Sequence, residues 1–257
     1  MNYSFYILYA MKDALISSRQ WVYGLIACLC LFACRKEEQT PTIIVTGKVE
    51  LVDEFGIPPT AISGIRIDGI QVTATTSTAS YTTTTQANGT YSLCTVAGVQ
   101  TLTFAKEYVG TYKLLEQSIT AAQELPVVHL GVQVLRGVGA VTLTKGADAL
   151  YIEGVMNQEN RAGLPPTKHR LFFRNGPVSA TNYALTVAGE TNVGTDQFFE
   201  VIPYTQLRAA GLLPDTQITL IAYGDNSFAD TYMDPVTRLV IYPAVNETGS
   251  NYVSFSY

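Results

Sequence analysis

The chain has 257 residues and a formal net charge of −5, from 16 basic and 21 acidic side chains. Charged residues make up only 14% of it, and no basic run reaches five, which excludes the electrostatic footprint of a nucleic-acid binder. Threonine, valine, tyrosine and glycine are plentiful, a composition suited to half-buried strands joined by turns, and the length allows one large or two ordinary domains.

In chain order, the first signal is the run Trp21–Ala33, WVYGLIACLCLFA, thirteen residues without a charge. Lys12 and Arg19 precede it, and Arg35, Lys36, Glu37 and Glu38 follow Cys34. That order is a positive region, an apolar region of signal-peptide length and a small residue at the cut site. A spanning helix needs about 20 apolar residues, so this run is too short to be one. Leu31-Phe32-Ala33-Cys34 resembles a bacterial lipobox, which implies a signal peptide over residues 1–33 and a lipidated tether over 34–42 beginning at Cys34. Leu25-Ile26-Ala27-Cys28 also fits that pattern, but further apolar residues follow Cys28. Lys36-Glu37-Glu38 resembles the surface-export signal of Bacteroidetes lipoproteins. The resemblance implies an outer-membrane protein held by its N-terminal lipid and exposed at the cell surface.

Processing at Cys34 leaves 14 basic and 20 acidic residues, a net charge of −6, and Cys94 as the remaining thiol. An exported chain without an intramolecular disulfide relies on its cores for stability. Cys94 sits in the strand-like run Tyr91–Val96 and reads as a small buried hydrophobe.

Strand signals follow at Ile43–Val52, Ile65–Thr75, Tyr81–Thr85, Tyr91–Val96, Gln100–Lys106, Leu114–Ile119 and Val127–Leu135. Asn88-Gly89 is a hairpin cue, Gly47 is read as a turn residue, and Tyr91 and Leu93, two apart, are expected in the core. Thr46-Gly47-Lys48-Val49, Asp53-Glu54-Phe55-Gly56-Ile57-Pro58, Ile70-Gln71-Val72-Thr73, Asn88-Gly89-Thr90-Tyr91-Ser92-Leu93 and Ala97-Gly98-Val99-Gln100-Thr101-Leu102 fall in the order of one family's motif. Residues 43–120 thereby resemble the carboxypeptidase regulatory-like family, which implies a transthyretin-type β-sandwich over 43–136. Gln100 stands where that family often carries an aromatic residue.

A second series runs through Ala140–Thr144, Leu150–Val155, His169–Arg174, Tyr183–Val187, Gln197–Ile202, Gln217–Tyr223, Leu239–Tyr242 and Tyr252–Tyr257. Its spacing predicts a second sandwich over 137–257. Thr205–Ala210 reads as one short helix, with Thr205 as N-cap and Gly211 as the residue after its end. Leu212-Leu213-Pro214-Asp215-Thr216-Gln217-Ile218 resembles the E–F corner of a fibronectin type III domain, with Ile218 at the usual tyrosine position. The fold class expected is therefore all-β, two sandwiches in tandem behind a signal peptide.

The chemistry sought is sparse. The two histidines, His129 and His169, are forty residues apart with no zinc-ligand spacing around them. No nucleophile elbow is present, and Gly137-Val138-Gly139 lacks the helix of a dinucleotide fingerprint. No catalytic residue, cofactor or metal is expected. Asp225, Asn226, Phe228, Asp230 and Tyr232 combine acids, an amide and aromatics in one loop after a strand, which makes it a candidate ligand-facing loop, for calcium or for a sugar. The function expected is non-catalytic binding or adhesion at the cell surface, with a glycan or a protein as partner. The alternatives are a fimbrial subunit, for which Lys48 is the candidate cleavage site, and an enzyme built on converging carboxylates.

Overall fold

Period-two alternation is the rule that builds this chain. In β1 (Ile43–Val52) Val45, Gly47, Val49 and Leu51 face inward, and in β5 (Gly98–Lys106) Gln100, Leu102 and Phe104 do. The computed structural model describes residues 42–59, 65–134, 136–157 and 165–257. Cys34, Lys36, Glu37 and Glu38 lie outside the described residues. Within them the chain is all-β, with one short helix.

One sheet of the N-terminal sandwich sets β1 antiparallel to β4 (Thr90–Thr95) and parallel to two short strands, β7 (Gln123–Glu124) and β8 (Val128–Gly131). The other sheet runs β3 (Ser80–Thr84), β2 (Gln71–Thr75), β5, β6 (Val109–Ile119). Val45, Val49, Leu93, Val72, Phe104 and Leu130 close one core between them.

The C-terminal sandwich pairs a three-stranded sheet with a four-stranded one. The first runs β13 (Gln197–Pro203), β10 (Ala149–Met156), β9 (Val138–Lys145). The second runs β12 (Leu185–Glu190), β11 (Lys168–Asn175), β14 (Ile218–Gly224), β17 (Val253–Phe255). Their shared core holds Leu150, Ile152, Leu171, Phe173, Phe198, Ile202, Ile218 and Leu220. Phe172, Val178, Tyr183, Ile221 and Tyr223 form a further cluster on the other side of β11 and β14, roofed by Leu239, Tyr242 and Val245. Covering on both faces explains why β14 is apolar nearly throughout, ITLIAYG. A small hairpin, β15 (Tyr232–Met233) with β16 (Val240–Ile241), rises in the segment after β14. Residues 41–257 cluster as one compact unit.

Several local expectations are corrected. Asn88-Gly89 does not close a hairpin: β3 pairs with β2, while β4 pairs with β1, so the turn carries the chain from one sheet to the other. Gly89 (φ +80°) supplies the left-handed residue, and its carbonyl accepts from Val49 N. Gly47 is not in a turn; it lies inside β1, where a Cβ would stand 2.4 Å from the Tyr91 hydroxyl oxygen. Cys94 is exposed, because Tyr91, Leu93 and Thr95 take the inward positions of β4. Only Gln71–Thr75 of the Ile65–Thr75 run is strand. Thr85 bends the stretch before it, donating from Oγ1 to Ile67 O (2.6 Å) and accepting from Ile70 N (3.0 Å).

The helix is α1 (Tyr204–Ala209), one residue earlier than read, with Pro203 rather than Thr205 at the N-cap and no side-chain cap. Gly211 (φ +76°) follows its end in the left-handed conformation. Gln100 is buried, and its amide accepts from Thr95 Oγ1 (2.8 Å) and donates to Val96 O, so a polar group replaces an aromatic one with both its oxygen and its nitrogen bonded. At the corner before β14, the hydroxyl that reaches Leu212 O (2.6 Å) comes from Tyr257, while Ile218 is in the core.

Candidate functional site

The loop singled out in the sequence leaves β14 and turns onto the N-terminal sandwich. Asp225 is 2% exposed and accepts from Arg170 Nη2 (2.7 Å) and Nε (3.0 Å). Burial pushes its carboxyl above the usual range, with Arg170 pulling in the opposite sense. The Arg170 guanidinium lies 3.8 Å from the centroid of Tyr242, held between a carboxylate and a ring. Asn226 is 3% exposed and donates from Nδ2 to Val52 O (3.1 Å) and Val132 O (3.2 Å), the ends of β1 and of the chain after β8. Asp230 accepts from His129 N (2.7 Å), and its own N donates to His129 O (2.8 Å). Tyr232 meets Tyr112 edge to face at 5.9 Å. Phe228, half-exposed, covers Gly56, where a Cβ would come within 2.9 Å of its ring. The five residues are thus brought together, but as a clasp between the sandwiches. The two acids and the amide among them are taken up by the chain itself.

Both histidines are placed by packing. His169 is fully buried, stacked on Phe198 at 3.7 Å, with Glu200 Oε1 3.2 Å from Nε2. A substrate has no path to it. His129 stands between Glu50 (3.5 Å) and Asp230 (3.6 Å) beside the clasp. Among the described residues no three His, Cys, Asp or Glu side chains converge as a metal-ligand group. Tyr183, pushed up to about 12 chiefly by burial, keeps its proton and donates to Val240 O (2.8 Å), so it holds a loop and is not a base.

The feature with the character of a binding surface is the outer face of the sheet β13-β10-β9. Register places three rows across it: Val201–Tyr151–Thr144, Phe199–Glu153–Thr142 and Gln197–Val155–Ala140. Phe199 is 49% exposed, Val201 46% and Val155 39%. The rings of Tyr151 and Phe199 lie nearly parallel, 21° apart with centroids at 6.1 Å. Glu153 is the single charged position of the nine. Outward faces of soluble sandwiches are ordinarily polar, and contiguous exposed apolar side chains mark interaction surfaces. The opposite sheet makes the contrast, since its outer face is sealed by the Phe172 cluster.

Sequence reading passed over this face, although a signal is present. In Gln197–Pro203, QFFEVIP, apolar residues come in adjacent pairs, Phe198-Phe199 and Val201-Ile202, so both faces of the strand are apolar. Phe198 and Ile202 serve the core; Phe199 and Val201 serve nothing inside the chain. Gly154 belongs to the same design, because a Cβ there would meet the Phe198 ring at 2.0 Å.

No protein-family model matches the chain, and no curated protein matches it. Among solved structures it is similar to a "putative carbohydrate binding protein" of Bacteroides uniformis, with 11% identity over 85% of this chain and 100% of that one, at a TM-score of 0.31. It is also similar to a DUF3823 family protein of Bacteroides ovatus, with 12% identity over 84% and 99% of the two chains, at 0.33. A third likeness is to the major pilin SpaD of Corynebacterium diphtheriae, with 10% identity over 85% and 67%, at 0.28. Similarity at this level assigns no residue of this chain a role.

Proposed function

We propose that this is a non-catalytic, lipid-anchored protein of the cell surface that presents two β-sandwich modules, residues 43–136 and 137–257, and binds a neutral glycan on the outer face of β13-β10-β9. The observation that carries the reading is the exposed row structure on that face, with Tyr151, Val155, Phe199 and Val201 in place of polar residues. Pyranose rings have apolar C–H faces that pack on aromatic and aliphatic side chains. Their hydroxyls need donors and acceptors close by, which Thr142, Thr144, Glu153 and Gln197 supply between and beside the apolar positions. One carboxylate among nine positions suits a neutral ligand better than a polyanion. Anchoring through Cys34 and export directed by Lys36, Glu37 and Glu38 would hold the protein at the outer surface of the cell. The fimbrial alternative calls for a basic cleavage site in the first strand, and Lys48 lies there, inside β1 and paired in register with Thr90 of β4.

The test is an array of neutral and acidic glycans probed with purified full-length protein and its Tyr151→Ala and Phe199→Ser variants. Binding to neutral glycans that drops in both variants, with unchanged thermal unfolding, is the expected result. Equal binding by wild type and both variants would remove this face from the function.

A further inference from the structure

We propose that a second site, a groove on the four-stranded-sheet side of the C-terminal sandwich, binds an acidic saccharide through Arg174. The groove has a volume of about 570 Å³ and lies between the end of β11, the loop 177–184, the turn after α1 and the β15–β16 turn. Arg174, Thr181, Asn182 and Thr237 offer polar groups to it, with Leu212 and Leu239 beside them. No carboxylate is among the residues that line it.

The distribution of arginine partners points to the ligand's charge. Of the six arginines among the described residues, Arg66, Arg136 and Arg170 are each ion-paired, to Asp68, Glu54 and Asp225. Arg174, Arg208 and Arg238 have no carboxylate at ion-pair distance among the described residues. Of these three, Arg174 is the one that lines the groove. The acid nearest in sequence to Arg238, Asp234, is already engaged, its Oδ1 accepting from Val236 N, Thr237 N and Thr237 Oγ1. On a chain of net charge −5, the unneutralised Arg174 guanidinium in a concavity lined by no carboxylate forms a local positive field. A planar guanidinium pairs with a carboxylate or sulfate through two parallel N–H···O bonds. Asn182 donates from Nδ2 to Pro177 O (3.0 Å), which fixes the amide and leaves its oxygen to accept from a sugar hydroxyl. Thr181 and Thr237 contribute hydroxyls on the same wall. Tyr183, bonded to Val240 O, ties the loop to β16.

The site is separate from the β13-β10-β9 face, so either can fail without the other. Titration calorimetry on the full-length protein uses three probes of matched length: an oligogalacturonate, a sulfated dextran oligosaccharide and an uncharged maltooligosaccharide. At least one acidic probe should bind, more weakly as salt rises, and should bind more tightly than the uncharged one. Arg174→Gln should weaken it about tenfold or more, the loss expected when a charge-assisted hydrogen bond is removed, and Arg174→Lys should retain part of the affinity. Asn182→Asp, which sets a carboxylate on the wall, should weaken it as well, while Phe199→Ser should not. Which acidic probe binds identifies the anion as carboxylate or sulfate. Failure of both acidic probes, an unchanged affinity in Arg174→Gln and Asn182→Asp, or equal binding of the uncharged probe would each overturn the proposal.

Discussion

The Arg136 guanidinium lies 3.2 Å from the Glu54 carboxylate and 5.2 Å from the Phe55 ring centroid, in the seam where the two sandwiches meet. Both side chains are nearly buried, at 10% and 14% exposure, and Arg136 also donates to Thr167 Oγ1 (3.0 Å) on the C-terminal side. One residue therefore holds a loop of the first module and the approach to β11 of the second. Removing one partner of a buried pair strands the other charge. Arg136→Met should cost about 3 kcal/mol, limited by Glu54 taking up a proton. Because each module keeps its own core, the wild type should unfold in one calorimetric transition and the variant in two. A single transition at an unchanged temperature would mean that the pair does not couple the modules.

Glu54 titrates above the ordinary carboxylate range because burial disfavours its charge, with Arg136 opposing and Asp53 adding to the rise. Its folded form binds a proton more tightly than the unfolded chain does. Its contribution to stability is therefore greatest in acid and declines as pH rises from the ordinary glutamate value to the folded one. Exposed acids work the other way. Hydrogen bonding and charge from Lys48 hold Glu50 low, and Thr237 does so for Asp234, so their contributions fade as pH falls. Comparison with Glu54→Gln isolates the buried group. The stability of wild type relative to that variant should fall as pH rises above the ordinary glutamate range, measured by chemical denaturation. A difference constant over that rise would show that Glu54 is solvated like an ordinary surface acid.

Cys34→Ala should leave unprocessed precursor without fatty-acid label, and replacing Lys36, Glu37 and Glu38 together should leave a labelled protein protected from added protease. Label that persists in Cys34→Ala and vanishes in Cys28→Ala would move the anchor to the earlier cysteine.

Much of the fold was readable because period two was nearly unbroken: most strands fall within one or two residues of their sequence signals. What was not readable is pairing. Asn88-Gly89 has hairpin chemistry, yet Val49 N claims the Gly89 carbonyl and sends the next strand to another sheet. The candidate loop failed to signal its place for a related reason. Acids, amides and aromatics in a loop have the same composition whether they meet a ligand or a neighbouring module, and long-range bonds such as Asn226 to Val52, 174 residues away, and Asp230 to His129 distinguish the two. Cys94 shows the converse, since its face follows from Tyr91 and Leu93 two positions apart, and alternation alone would have placed it outside.

The strand β10 should be intolerant of a methyl group at Gly154, because the ideal Cβ position lies 2.0 Å from Cζ of Phe198 and 2.4 Å from Cε1. Gly154 has ordinary strand geometry, so the obstacle is space and not backbone conformation. Phe198 cannot easily withdraw, because its other side stacks on His169 at 3.7 Å, and His169 is fully buried. Gly154→Ala should therefore destabilise the C-terminal module by about 1–3 kcal/mol, the range for an overpacked core. Phe198→Leu alone should also destabilise, through lost packing, but the double variant should be more stable than the sum of the single effects predicts. That coupling, of about 1 kcal/mol in a double-mutant cycle, is the signature of the two groups competing for one space. Strict additivity would mean that the sheet relaxes around the added methyl and that the glycine is there for another reason. The same cycle bears on the proposed glycan face. Phe199 stands next to Phe198 on the opposite side of β13, so a shift of the strand in Gly154→Ala should weaken glycan binding without touching any exposed residue.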